Sequence, residues 1–317
     1  MLKRIIYLLA FLSLVSTGVS FAQQPAQPEL GPAELKDLVR RAGLGMSEYK
    51  IRFKDLTAEE DQKVEEYDQQ GKLQKQRRIA SDLVIYQSQL DPTQMVEYRD
   101  VKLVDGVAVK KREARLMSLL NKSAKADSVK KELDRVNRES SRYDLGFSFY
   151  GMTLYQGLPL QENALDAFKF TFAGREQVDG HDAIIVDYQQ VSQTPSFAFN
   201  PSSLPSPLKG SEALHRGRIW LDAETAQIRR EVREMTLQPP SVNRPLVFTR
   251  YEFDYADSRF GFLTPKRIVI TNNSRGRTGA DKKPELLLGV KITFDYGAFS
   301  RFEVETPDAS LDPPAKP

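Results

Sequence analysis

Residues 217–237 spell out a strand, a polar turn and a second strand, and the same unit recurs on both sides of that stretch. Gly217-Arg218-Ile219-Trp220-Leu221-Asp222 carries the single tryptophan; the turn runs from Asp222 to Thr225, and a charged strand follows from Gln227 to Leu237. Upstream, Phe168–Arg175 turns through Val178-Asp179-Gly180-His181 into Ala183–Gln190. Downstream, Leu246–Tyr255 turns through Asp257–Gly261 into Pro265–Asn272. A chain built from consecutive hairpins folds into an antiparallel meander, because a tight turn leaves the returning strand no other neighbour.

The amino terminus carries an address. Lys3 and Arg4 precede an apolar run from Ile5 to Val19, and Ser20-Phe21-Ala22 puts small residues at the two positions that a signal peptidase reads. The expectation is a signal peptide over 1–22, cleaved after Ala22, and a periplasmic or secreted protein. No later stretch approaches the ~20 apolar residues of a spanning helix, so no transmembrane segment is expected after cleavage. The chain has no cysteine, which excludes a disulfide framework, a thiolate nucleophile and a lipid anchor attached through cysteine. The net charge of +3 falls towards neutral once Lys3 and Arg4 are removed, leaving no field to gather nucleic acid.

Residues 23–31, with Pro25 and Pro28, read as a disordered leader. Pro32 opens a short helix that Gly43 or Gly45 should stop, and Tyr49, Ile51 and Phe53 then alternate with cations as a first strand. Thr57–Lys75 reads as a long charged hairpin turning at Gly71, with the return strand continuing to Tyr86; Met95–Val104 is another strand, ending at Asp105-Gly106. Between about 111 and 143 the period changes. Leu116, Leu119, Leu120, Val129, Leu133 and Val136 recur at three and four, which predicts one or two amphipathic helices with a break near Asn121–Ser123, laid over the sheet as a lid. Thr194–Gly210 holds four prolines and reads as a long irregular loop, Ser274–Pro284 as a basic hairpin loop, and 306–317 as a flexible tail. One domain over 32–305 is the expectation.

Chemistry is sparse. His181 and His215 are the only histidines, and both fall next to turns or loops; there is no nucleophile elbow, phosphate loop or metalloprotease motif. No enzyme, cofactor or metal is expected. On strict alternation, Arg229, Glu231 and Arg233 face one way and Ile228, Arg230, Val232 and Glu234 the other. Arg230 and Glu234 thus share a face with apolar neighbours, either as inward charges guarding an edge or as the polar rim of a groove. The aromatic runs Phe168, Phe170, Phe172 and Tyr251, Phe253, Tyr255 are either core or the lining of a ligand cavity. Together with Trp220, these are the candidate ligand-binding residues.

The segments Gly217–Asp222 with Thr225 and Ile228–Glu231, Leu263-Thr264-Pro265, and Val178-Asp179-Gly180-His181-Asp182 resemble the lipoprotein-carrier superfamily of the bacterial envelope. The resemblance covers about 168–296 and implies a mainly β fold with inserted helices, an antiparallel, incompletely closed β-barrel or strongly curved sheet covered by a helical lid. It also implies an exported protein that binds a lipid or the acyl chain of a lipoprotein in an apolar groove. The family's cavity arginine matches no position by motif. The alternative is a non-catalytic periplasmic scaffold with a packed interior and an envelope protein as its partner.

Overall fold

The computed structural model describes residues 29–301, apart from 89, 116–117, 119–127, 148–151, 195–196, 198–207, 209, 241–242 and 279–283. The expected signal peptide, the tail, most of the proline-rich loop and the expected helix break near Asn121–Ser123 lie outside the described residues. The chain opens with helix α1 (Pro32–Arg52) and the hairpin β1 (Leu56–Tyr67) and β2 (Leu73–Gln87). Strands β3 (Met95–Val104) and β4 (Val107–Ala108) and helix α2 (Val129–Ser140) follow. Short 3-10 turns at Met152–Leu154, Leu158–Leu160 and Leu165–Ala167 form a crossing segment. Then come β5 (Phe168–Val178), β6 (His181–Gln190), β7 (Glu212–Asp222), β8 (Ile228–Gln238), β9 (Leu246–Ala256) and β10 (Thr264–Asn272). The chain ends with β11 (Arg275–Thr278), β12 (Pro284–Leu287), β13 (Val290–Tyr296) and β14 (Ser300–Arg301).

One antiparallel sheet takes all but two of these strands, in the order β4-β3-β2-β1-β13-β10-β9-β8-β7-β6-β5, with β14 added on β1; β11 and β12 pair with each other. The sheet is not closed. Its turns follow their local chemistry. Asp105-Gly106 and Asp179-Gly180 are two-residue turns with positive φ at both positions, the geometry that matches strand twist. At the β1–β2 turn, Asp68 Oδ1 accepts from the amides of Gln70 and Lys72 at 2.9 and 2.8 Å.

The amino-terminal expectation needs correction. Instead of stopping at Gly43 or Gly45, α1 runs on to Arg52, so Tyr49 and Phe53 are helical neighbours four apart that both point into the core, and Ile51 is exposed. Gly43 is a packing glycine: a Cβ there would collide with the carbonyl oxygen of Leu160 in the crossing segment. Leu38, Val39, Ala42 and Met46 of α1 join Leu56, Leu83, Ile219, Phe253, Ile268 and Phe294 of the strands in one buried cluster. Helix α1 and the crossing segment therefore cover the inner face.

The inserted helix lies elsewhere. Val136 and Leu133 of α2 pack against Val96, Tyr98 and Tyr86, whereas Met95 and Ile85, each adjacent in sequence to one of those residues, belong to the inner cluster. Successive strand residues face opposite ways, so α2 sits on the outer face of β2 and β3. The 3.6-residue period made the helix legible; nothing in it says which face of the sheet receives the stripe.

Candidate functional site

Two of the nine candidate residues, Arg230 and Glu234, are not on the face where alternation puts them, and Trp220 joins them outside, between the inward-facing Ile219 and Leu221. A β-bulge opposite Trp220 and Leu221 inserts one extra residue in β8, so that Leu221 pairs with Ile228 but Trp220 with Arg230. Beyond the bulge the phase is reversed. Ile228, Glu231 and Arg233 share the inner face, while Arg230, Val232 and Glu234 share the outer face with Trp220. Outside, Arg230 pairs with Asp254 at 2.9 Å, Glu234 bridges Arg216 and Arg250 at 2.9 and 2.7 Å, and the Trp220 indole donates to Glu176 at 2.8 Å. The guanidiniums of Arg218 and Arg230 lie 5.9 and 5.4 Å from the Trp220 ring. Arg230 and Glu234 thus belong to a half-solvated ladder of ion pairs, with Trp220 buried beside it.

The six aromatics do share the inner face. Tyr251, Phe253 and Tyr255 stack with centroid spacings of 6.2 and 6.4 Å, and Phe253 and Tyr255 are fully buried. Phe168 is buried against Tyr188 and Phe197, and Phe170 and Phe172 are half-buried at the end of the sheet. Most of the inner face is thus core, closed by α1 and the crossing segment.

What sequence reading missed is how the closure is held. Glu231 and Arg233, 0% and 3% exposed, pair at 2.8 Å beneath the crossing segment. Arg233 Nη2 donates to the carbonyl oxygen of Tyr155 at 2.8 Å, and the Gly157 amide donates to Glu231 Oε2 at 2.7 Å. Gly157 has φ +59, and a Cβ there would lie 2.6 Å from Met46 Sδ, so the residue serves both the turn and the close approach to α1. Burial opposes the charge on Arg233, but Glu231 beside it more than compensates and its pKa is raised. Tyr188 is held well above its usual range by burial and by Glu231.

A second buried pair sits on the amino-terminal strands. Arg99 Nε donates to Glu60 Oε1 at 2.6 Å, and Glu97 lies 3.8 Å from Arg99 and accepts from the Leu154 amide at 3.2 Å. Burial pushes Glu97 up to about 7 despite Arg99, with Glu60 adding to the rise. Asp144 is likewise pushed up to about 6 by burial. Charged groups on β3 and β8 therefore grip the crossing segment at Leu154, Tyr155 and Gly157.

Closure leaves an apolar opening at the β5 end of the sheet. A cleft of about 450 Å3 separates the first turns of α1 from β5, lined by Leu35, Val39, Leu165 and Phe170, with Lys36, Arg40 and Asp166 beside it. Among the described residues no three His, Asp or Glu side chains are placed to hold a metal ion, and no helix is long and apolar enough to cross a membrane. His215 is half-buried against Phe197, and burial, with Arg233, lowers its pKa to about 4; His181 sits at a turn, 3.1 Å from Asp257.

No protein-family model matches the chain, and no curated protein matches it in sequence. Among solved structures, a putative outer membrane lipoprotein-sorting protein domain from Vibrio parahaemolyticus is 11% identical and aligns over 84% of this chain and 95% of its own, with a TM-score of 0.36. A LolA superfamily protein from Nitrosomonas europaea is 7% identical over 85% of this chain and 94% of its own, with a TM-score of 0.32. At these scores the likeness is one of general strand layout, and no functional statement rests on it.

Proposed function

We propose that this is an exported envelope protein that holds a single-chain amphiphile, such as a lipid or the acyl chain of a lipoprotein, in the cleft between α1 and β5. The observation that carries this is the cleft itself: about 450 Å3, walled by aliphatic and aromatic side chains, with Lys36 and Arg40 beside it to meet a polar head. That volume lies within the ~300–1,000 Å3 of small-molecule sites, and each methylene buried there contributes about 0.8 kcal/mol. The signal-like amino terminus supports an address in the periplasm or outside the cell. A groove spanning the whole sheet is not part of this reading, since Phe253, Tyr255 and the buried ion pairs fill the interior.

That packed interior favours the second reading, a non-catalytic scaffold that meets an envelope protein. Native mass spectrometry of protein purified from the exported fraction without detergent separates the two. A bound mass that extracts as lipid, and is lost in Phe170→Glu with the melting temperature little changed, supports the first. A bare polypeptide mass, with no displacement of a fatty-acyl probe at micromolar concentration, sinks it and leaves the scaffold.

A further inference from the structure

The other feature of this end of the sheet is its backbone. β5 pairs with β6 on one side and, among the described residues, with no strand on the other, so alternate N–H and C=O groups of β5 face outward unpaired by the sheet. We propose that this edge receives an extended peptide of another protein as an added strand, with side chains alternating apolar and acidic. The inference does not rest on amphiphile binding, although inward side chains of such a peptide would enter the same cleft.

The docking template has definite limits. From Phe168 to Phe172 the pairing with β6 is regular, running from Gln190 to Val186; a bulge at Gly174, φ +126, then breaks it. Within those five residues Phe168, Phe170 and Phe172 point inward, and Lys169 and Thr171 point outward and are exposed. A strand added alongside continues the same alternation. Its inward residues meet the apolar cleft between Phe170 and Leu35 of α1, and its outward residues meet a second groove of about 530 Å3 on the outer face.

Charge decides what those outward residues are. The outer groove is lined by Lys169, Arg216, Arg218 and Arg250 against only Asp187 and Glu234. Asp187 is taken by Arg218 at 2.6 Å, and Glu234 by Arg216 and Arg250. Lys169 makes no ion pair among the described residues, although it stands nearest the open edge. A carboxylate across from a lysine is favourable and a second cation unfavourable. Main-chain hydrogen bonds supply affinity for any extended segment; the two side-chain rows restrict it to an apolar–acidic alternation.

The probe is an end-capped, fluorescently labelled octapeptide alternating valine and glutamate, compared by anisotropy with a block peptide of four valines followed by four glutamates. The alternating peptide is expected to bind at least tenfold more tightly than the block peptide. Methylating alternate backbone nitrogens along one edge of the peptide should abolish binding, and along the other edge should leave it. Lys169→Glu, an exposed change checked by circular dichroism for intact folding, should weaken binding several-fold. Equal affinity for the two sequences, indifference to methylation on either edge, an unchanged affinity in Lys169→Glu, or no saturable binding at all would each overturn the proposal.

Discussion

Exchanging Arg233 for methionine is expected to lower the free energy of unfolding by about 3–5 kcal/mol, because it leaves Glu231 as an unpaired charge in the core. The stake is large for a protein whose total stability is of the order of 5–15 kcal/mol. Glu231 would keep the Gly157 amide at 2.7 Å and the Tyr188 hydroxyl at 3.4 Å, but lose its charge partner Arg233, and the Tyr155 carbonyl would lose its donor. Removing both charges in Glu231→Leu with Arg233→Met should recover part of the loss. Recovery stays incomplete, because the Gly157 amide is then buried without its partner, at about 1–3 kcal/mol, and the Tyr155 carbonyl loses the Arg233 donor. Guanidinium unfolding of the single and double variants gives the energies. Hydrogen exchange at Gly157, faster in the double variant while amides of β13 stay protected, locates the loss in the crossing segment. If Arg233→Met unfolds within 1 kcal/mol of the parent, the pair does not hold the closure.

The hairpin order was legible from sequence because turns declare themselves locally. Asp105-Gly106, Asp179-Gly180 and the stretch from Asp68 to Lys72 each carry the residues that positive φ or side-chain capping requires, and each joins two strands that pair as antiparallel neighbours. What failed was information carried across the sheet. Gly43 reads as a helix stop until the carbonyl of Leu160, 117 positions on, is seen to press against it. The bulge in β8 depends on its pairing with β7 and reverses every side chain after it, which moved Glu231 and Arg233 inward and Arg230 and Glu234 outward. One inserted residue separates a groove rim from an ion-pair ladder. The apolar cleft was equally hidden, since Leu35 and Val39 come from one end of α1 and Leu165 and Phe170 from residues more than a hundred positions later.

Closure of the inner face also gives the protein a stability that falls as pH rises, through Glu97. In the unfolded chain this carboxyl titrates near 4.5; in the folded protein burial holds its pKa up to about 7, against the pull of Arg99. Below pH 4.5 both states carry the proton and Glu97 contributes nothing to the pH dependence. Between about 4.5 and 7 the unfolded chain releases the proton while the folded protein keeps it, so stability is lost over that window; above 7 the loss is complete, at about 3 kcal/mol. The groups facing Glu97 include Arg99 of β3, Glu60 of β1, Tyr49 of α1, Tyr296 of β13 and the Thr153–Leu154 turn. Asp144, raised to about 6, acts in the same direction, and His215, lowered to about 4, acts in the opposite one, so the net profile alone does not isolate Glu97. Glu97→Gln does, because the amide keeps an acceptor for the Leu154 N–H and mimics the protonated acid at every pH. The variant should gain on the parent by about 3 kcal/mol between pH 4 and pH 8, read from guanidinium midpoints at constant ionic strength. A difference that stays constant across that range would mean that Glu97 ionises in the folded protein as it does in the unfolded chain, with Arg99 and Glu60 then a fully charged triad tolerated beneath the crossing segment.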